Sequence, residues 1–215
     1  MLKVVIFDLD GTLLNTLEDL GRAVNYALSL RGLPLHSMEE YRGMVGHGVR
    51  NLVTVALPRE FQADEILIDA ALADFKAYYT AHIDVHTRPY PGMVEAVRQL
   101  HEKGIKLAVA SNKFQSGTES LIAEFFPGIP FVAVLGNRPG YPLKPDPEIV
   151  GEVLRQASAL PEEAAMVGDS NTDMKTAENG GIRALAVSWG YRVLAPSPDY
   201  TLVHTPAELL DQLIP

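Results

Sequence analysis

Five short apolar runs limit what this chain can fold into more than any other feature of its sequence. The runs lie at Val4–Phe7 and at residues 105–110, 131–135, 164–167 and 182–187. Continuous apolar runs of this length are typical of strands that are buried on both faces, as in a parallel sheet. Helical patterns lie between most of them, for example after Pro91-Gly92 and after Pro147. The alternation therefore predicts an α/β fold with a parallel sheet.

One long interval interrupts this alternation. Residues 16–31, 38–57 and 63–82 have apolar residues at helical spacing, and no strand pattern appears between Thr12 and about residue 105. We therefore predict a helical insert over residues 15–85 and a core formed by residues 1–14 and 86–215. The chain would return to the core through residues 85–91. Two connections of this kind would let the insert move as a lid.

Composition narrows the possible partners and the compartment. The formal net charge of −9 argues against nucleic acid and anionic membranes as partners. The chain has no cysteine, which excludes disulfides, thiolate metal sites and a cysteine nucleophile and is compatible with a reducing cytoplasm. The apolar run near the N-terminus is too short for a signal peptide, and no stretch approaches a membrane span. We expect a cytoplasmic monomer or homodimer.

Polar residues follow four of the predicted strands. In chain order they are Asp8 and Asp10, Ser111 and Asn112, Lys144 after a loop, and Asp169 and Asp173. In an open parallel sheet, ligands bind beyond the carboxyl ends of the strands, so we expect these side chains to meet at one edge. Alternation along the first strand places Asp8 and Asp10 on the same side.

Four carboxylates this close cannot all stay ionised without added positive charge. Lys144 supplies one charge, and a hard divalent cation with oxygen ligands would supply the rest. Mg²⁺ fits best, because it shares its coordination shell with substrate phosphate. We expect Asp169 to hold this ion and Asp173 to orient Lys144 or a metal-bound water.

These positions predict phosphoryl transfer. Asp8 is the candidate nucleophile, which would form an aspartyl-phosphate, and Asp10 is the candidate general acid and base. Ser111 and Lys144 would bind the phosphoryl oxygens. The same role is predicted for the backbone N–H groups of Gly11 and Thr12 and for the helix start after Ser111, which includes Asn112.

The ordered set Asp8-x-Asp10-Gly11-Thr12, Ser111, Lys144 and Gly168-Asp169-x-x-x-Asp173 resembles the four motifs of the haloacid dehalogenase (HAD) superfamily. The resemblance covers residues 4 to 190. It implies a Rossmann-like parallel sheet core with helices on both faces and a helical cap inserted after the first strand. It also implies Mg²⁺ held by Asp8, the main-chain carbonyl of Asp10, and Asp169. The superfamily's dehalogenase branch lacks an acid at the Asp10 position and uses no metal, which argues against dehalogenation here.

A narrower resemblance is to the bacterial phosphoglycolate phosphatases. It is carried by Pro89-Tyr90-Pro91-Gly92, Ala110-Ser111-Asn112-Lys113, Pro142-Leu143-Lys144-Pro145-Asp146-Pro147, Ser188-Trp189-Gly190-Tyr191 and Val45-Gly46-His47-Gly48. Asn15 departs from the pattern, because that family usually has Asp at this position, at the hinge into the cap.

Three further features have two interpretations each. Gly46-His47-Gly48 with Arg50 is either a loop that contacts the substrate, with His47 or Arg50 meeting a substrate carboxylate, or a glycine turn between helices. We expect Lys113 to be solvated rather than to add charge at the phosphate. Trp189-Gly190-Tyr191 is either a loop near the site or an apolar plug after the last strand.

The leading hypothesis is a Mg²⁺-dependent phosphatase that acts on a small phosphorylated metabolite, with phosphoglycolate as the best single candidate. A phosphomutase of the β-phosphoglucomutase type would share the same four motifs, and a pyrophosphatase would take an anhydride instead of an ester. A binding module without turnover is disfavoured, because every motif residue is present.

Overall fold

A six-stranded parallel sheet forms the centre of the structure, a computed structural model that describes residues 1–214. The strands are β1 (Val4–Phe7), β2 (Leu14–Asn15), β3 (Arg88–Pro89), β4 (Lys106–Phe114), β5 (Ala133–Asn137), β6 (Ala164–Gly168), β7 (Arg183–Val187) and β8 (Thr201–Val203). The order in the sheet is β5-β4-β1-β6-β7-β8, with every pair parallel, while β2 and β3 form a separate antiparallel pair.

Helices cover both faces of this sheet. The helices are α1 (Leu17–Ser29), α2 (Met38–Met44), α3 (Val49–Ala56), α4 (Glu65–Ala81), α5 (Met93–Glu102), α6 (Gln115–Phe125), α7 (Glu148–Ala157), α8 (Asn171–Asn179) and α9 (Pro206–Leu213). The apolar residues of α5, α6 and α9 pack on one face, and those of α7 and α8 pack on the other. Across residues 1–214, no helix combines the length and hydropathy that a membrane crossing requires.

Strand β1 shows why its sequence is apolar at every position. Val5 and Phe7 belong to the core on one face, Val4 and Ile6 belong to the core on the other, and all four side chains are fully buried. Successive side chains of a strand point to opposite faces, so a strand covered on both sides has no polar positions. The predicted α/β class, with a Rossmann-like parallel core and a helical cap, is confirmed.

Helices α1 to α4, here called the cap, lie between β2 and β3. The two crossings run side by side, because Leu14 pairs with Pro89 and Asn15 pairs with Arg88. Asp19, buried in the first turn of α1, accepts hydrogen bonds from the backbone N–H groups of His86 and Thr87 and from the Thr87 hydroxyl, at 2.7 to 3.0 Å. Helix α1, through which the chain enters the cap, is therefore hydrogen-bonded directly to the segment through which the chain leaves it. The predicted domain limits at residues 15 and 85 remain predictions.

Some elements differ from the sequence prediction. The single helix predicted over residues 38–57 is divided into α2 and α3, because Val45 is extended and Gly46 and Gly48 have φ values of 119° and 83°. These φ values favour glycine. The short strands β2, β3 and β8 were not predicted. Strand β4 continues past Ala110 through a bulge to Phe114, so the prediction of a helix start directly after Ser111 was wrong and α6 begins at Gln115.

Candidate active site

The predicted catalytic side chains meet in a cavity of about 40 Å³ between the carboxyl end of the sheet and the cap. β1 lies in the middle of the sheet, with β4 and β6 beside it, so the residues directly after β1 and β6 converge with those at the carboxyl end of β4. The core contributes Asp8, Asp10, Ser111, Asn112, Lys113, Lys144, Asp169, Ser170, Asp173, Tyr191 and Arg192. The cap contributes Leu20, Val45, Gly46, Gly48, Val49 and Leu52.

Lys144 joins two of the carboxylates. Its Nζ lies 2.8 Å from Asp8 Oδ1 and 2.6 Å from Asp173 Oδ1, and all three side chains are buried. Burial alone would lower the pKa of Lys144, but the charges of Asp173 and Asp8 together raise it above its ordinary value. Lys144 is therefore a permanent cation beside the candidate nucleophile.

Burial disfavours the ionised forms of the Asp8 and Asp169 side chains. Burial raises the pKa of Asp8 well above its ordinary value; Lys144 opposes this effect, and Asp173 and Asp169 reinforce it. Burial, followed by repulsion from Asp173, raises the pKa of Asp169 to about 7. The backbone N–H of Tyr191 donates to Asp169 Oδ2 at 2.6 Å and fixes this carboxyl.

The donor set fits a hard divalent cation. Carboxylate oxygens of Asp8, Asp169 and Asp173 lie within 4.8 Å of one another. Oxygen ligands are those that Mg²⁺ prefers, and a divalent charge would relieve the repulsion that raises the two pKa values. Glycine is required around Asp169, because a Cβ at Gly11 or Gly190 would collide with its side chain.

Lys113 is buried, and the expectation that it is solvated was wrong. Its side chain is 0% exposed, and its Nζ lies 3.0 and 3.2 Å from the carboxylate oxygens of Asp10. The same Nζ lies 4.7 Å from the ring centroid of Tyr79, which comes from the last cap helix. A cation is stable here because a carboxylate and an aromatic face replace its water. Sequence reasoning missed this residue because a lysine after a strand is usually at the surface.

Asp10 is held by two donors. Besides Lys113, the Thr16 hydroxyl donates to Asp10 Oδ1 at 2.6 Å. The Asp10 side chain is not one of the three carboxylates that lie together. This arrangement is compatible with the expectation that its main-chain carbonyl contacts the metal while its carboxyl handles protons.

Ser111 and Asn112 occupy the cavity wall next to Lys144. The Ser111 hydroxyl accepts a hydrogen bond from the backbone N–H of Lys113 at 3.2 Å, which orients it. Asn112 Oδ1 accepts from the Lys144 N–H at 2.9 Å, and Asn112 Nδ2 donates to the carbonyls of Lys144 and Gly46, each at 3.2 Å. Asn112 therefore fixes the backbone at Lys144 and also forms a hydrogen bond to the cap.

The structure does not bring Gly11 and Thr12 to the cavity. The N–H of Gly11 donates to the Leu14 carbonyl at 2.9 Å, and the N–H of Thr12 donates to the Leu9 carbonyl at 3.3 Å. Both groups close the turn after β1. The expectation that they are open phosphate ligands is therefore corrected for this structure.

The residues of the predicted substrate loop in the cap, Gly46 to Gly48 and Arg50, lie partly at the cavity and partly at the surface. Gly46 and Gly48 line the cavity, whereas His47 is exposed and does not. Arg50 lies on the outer side of α3, where it forms ion pairs with Glu65 and Asp69. Substrate roles for these residues remain predictions, and for His47 and Arg50 the structure shows no contact with the cavity.

The segment Trp189 to Arg192 connects the core site to the cap. Trp189 Nε1 donates to the Thr12 carbonyl at 3.1 Å, and the Tyr191 hydroxyl accepts from the Thr16 N–H at 2.6 Å. Arg192 Nη2 donates to the carbonyls of Gly43 and Val45 in the cap, at 2.9 and 2.8 Å. Tyr191 lines the cavity, while Tyr191 and Trp189 also pack in the hydrophobic core, so the structure agrees with both interpretations of Trp189-Gly190-Tyr191. Arg192 carried no signal in the sequence, because a single arginine in a loop has no pattern.

Comparisons with known proteins agree with this geometry. The family model of the haloacid dehalogenase-like hydrolases matches residues 5–187. A phosphoglycolate phosphatase of Mesorhizobium japonicum is 35% identical, over 98% of this chain and 96% of its own. A crystal structure from Lactobacillus delbrueckii subsp. bulgaricus, provisionally assigned as a phosphoglycolate phosphatase, has a TM-score of 0.88 and 31% identity over 98% of both chains. CbbY from Rhodobacter sphaeroides, solved with phosphate, has a TM-score of 0.76 and 25% identity over 97% and 96% of the two chains.

Proposed function

Because the chain belongs to the haloacid dehalogenase-like hydrolase family and is a phosphatase of that family, we propose that it hydrolyses phosphoglycolate through an aspartyl-phosphate on Asp8. One observation carries this proposal: Asp8 lies 2.8 Å from the buried cation of Lys144, beside Asp169 and Asp173, in the cavity between the core and the cap. The name of the relative from Mesorhizobium japonicum and the phosphate in CbbY support the choice of substrate class.

In the first step, a carboxylate oxygen of Asp8 attacks phosphorus and the bond from phosphorus to the ester oxygen breaks. The leaving oxygen takes a proton from Asp10, which must be protonated at this point. Lys113 and Thr16 hold the Asp10 carboxyl in place. The products of this step are glycolate and an aspartyl-phosphate.

In the second step, a water molecule attacks phosphorus and the bond from phosphorus to Asp8 breaks. Asp10, now ionised, takes the proton of this water and returns to its starting state. Lys144 stays charged throughout and stabilises the negative charge that accumulates on the phosphoryl oxygens. We expect the hydroxyl of Ser111 to donate to the same oxygens.

Asp8, Asp169 and the main-chain carbonyl of Asp10 would hold Mg²⁺, and Asp173 would keep Lys144 in position. When bound, the ion supplies positive charge that stabilises the transferring phosphoryl group. The buried oxygen donors and the raised pKa values of Asp8 and Asp169 support this assignment.

The dimensions of the cavity favour a small ester. The free space between the core and the cap is small, about 40 Å³. The roof is apolar and comes from cap residues such as Leu20, Val49 and Leu52. A hexose phosphate, which a phosphomutase would have to turn around inside the site, is much larger than a two-carbon acid.

The decisive experiment measures inorganic phosphate released from phosphoglycolate with Mg²⁺ present. We expect turnover by the wild type and a loss of at least about 1,000-fold for Asp8→Asn, since covalent catalysis then has no nucleophile. Asp211→Asn, which changes an exposed carboxylate on α9, is the matched control. A wild-type rate in Asp8→Asn, or no phosphate release by the wild type from any small monoester, would refute the proposal.

We place this activity in the cytoplasm, on a monomer or homodimer without nucleic acid or membrane partners. The net charge of −9 argues against nucleic acid and anionic membranes, and the lack of cysteine is compatible with a reducing cytoplasm. Cell fractionation and light scattering on the purified protein test them.

A further inference from the structure

Three cationic side chains line the cavity, and two of them are neutralised by the protein itself. Lys144 is paired with Asp8 and Asp173, and Lys113 is paired with Asp10. The third cation, Arg192, forms no ion pair with any residue between 1 and 214. Arg192 therefore brings to this cavity a positive charge that no described carboxylate neutralises.

The hydrogen bonds of Arg192 leave much of its guanidinium available. Only Nη2 donates to described protein atoms, the carbonyls of Gly43 and Val45, which are neutral groups. A guanidinium also carries N–H groups on Nε and Nη1, and its planar fork matches a carboxylate. The donors at Nε and Nη1 have no acceptor within residues 1–214 and are open to a ligand.

We infer that Arg192 binds the carboxylate of the substrate and thereby selects phosphorylated acids over neutral phosphate esters. This inference rests on the proposed function, which places the phosphoryl group at Asp8 and Lys144. A small phosphorylated acid carries a carboxylate in addition to its phosphoryl group, and this separate negative charge needs a cation of its own. Neither His47 nor Arg50 lines the cavity, and Arg50 is already paired with carboxylates.

The same residue joins substrate recognition to the cap. Arg192 follows the core segment that holds Asp169 through the Tyr191 N–H, and its Nη2 reaches the carbonyls at the end of α2. The carbonyls at a helix C-terminus carry partial negative charge and favour a cation. A bound acid would therefore be held by a guanidinium whose position depends on the cap being closed.

The test compares two esters of nearly equal size, phosphoglycolate and 2-hydroxyethyl phosphate, which lacks the carboxylate. We expect Arg192→Met to lower the ratio of their kcat/KM values by about 10- to 100-fold, the range that hydrogen bonds to charged groups supply. Arg192→Lys keeps the charge without the fork and should lose less. Arg98→Met removes an exposed arginine of α5 and is the matched control, with an unchanged ratio.

A second measurement separates this inference from the proposed function. Calorimetry with Mg²⁺ compares 3-phosphonopropionate, which keeps the carboxylate, with propylphosphonate, which lacks it. We expect Arg192→Met to weaken binding of the first at least tenfold more than binding of the second. If the wild type hydrolyses neither ester, the proposed function fails, and this binding difference still decides the role of Arg192. An equal loss for the acid and neutral compounds in both assays would reduce Arg192 to a cap contact and overturn the inference.

Discussion

Asp169→Asn should make the metal-free protein more stable while removing its response to Mg²⁺. Asp169 is 3% exposed, and its pKa in the folded protein is about 7 against an ordinary value of 3.8. Well below pH 3.8 the carboxyl is protonated in both the folded and the unfolded chain and has no effect on stability. As the pH rises from 4 to 7, only the unfolded chain loses this proton, so the folded state loses stability.

The size of this effect follows from the difference in pKa. Each pH unit in that window corresponds to about 1.4 kcal/mol, which gives a loss of about 2 kcal/mol at pH 5 and about 4 kcal/mol at pH 8. Asparagine does not titrate, and its carbonyl can still accept the hydrogen bond from the Tyr191 N–H. Asp169→Asn should therefore exceed the wild type in unfolding free energy by these amounts when no metal is present.

Urea unfolding in EDTA at pH 5 and pH 8 measures the difference directly. Addition of Mg²⁺ at pH 8 should restore stability to the wild type and leave Asp169→Asn unchanged. Asp211→Asn, with an exposed carboxylate, should show neither effect. If Asp169→Asn is no more stable than the wild type in EDTA, or if the gain does not grow with pH, then the buried carboxylates are not destabilising and the case for a metal loses its physical basis.

Three further predictions follow from contacts in and around the site. Lys113→Met leaves the Asp10 carboxyl without its cation, so kcat should fall at least tenfold, and more for alkyl phosphates than for para-nitrophenyl phosphate, whose leaving group needs no proton. An equal loss for both would contradict a positioning role toward Asp10. Asp19→Ala removes the acceptor of four hydrogen bonds from His86 and Thr87 and should lower the unfolding free energy in urea by about 3 kcal/mol, whereas Asp84→Ala in the exposed segment nearby should change it by less than about 0.5 kcal/mol. EDTA should abolish phosphate release and added Mg²⁺ should restore it; full activity in chelator would remove the metal from the mechanism.

The sheet and its polar edge could be predicted from the sequence because both depend on local patterns. Strands buried on two faces require uninterrupted apolar runs, and the residues directly after such runs must lie at the carboxyl edge. This reasoning placed Asp8, Lys144, Asp169 and Asp173 together, as observed. Strand β8 was not predicted because it has only three residues and lies at the edge of the sheet, where no long apolar run is needed.

The details that the sequence did not reveal depend on contacts between distant segments. Lys113 is buried only because Asp10, 103 residues away, and Tyr79 of the cap meet it. Arg192 is at the site only because its loop passes under α2. The N–H groups of Gly11 and Thr12 looked available because a one-dimensional motif does not show that the turn uses them itself.

The antiparallel pairing of β2 with β3 has an implication for how such enzymes diversify. Paired strands lie about 5 Å apart, a gap that a two-residue turn can span. The cap is thus joined to the core by two chain segments that lie side by side. A short loop between β2 and β3 would be enough to connect the core without the cap. A block attached in this way can be exchanged as a unit that leaves Asp8, Lys144, Asp169 and Asp173 in place on the core.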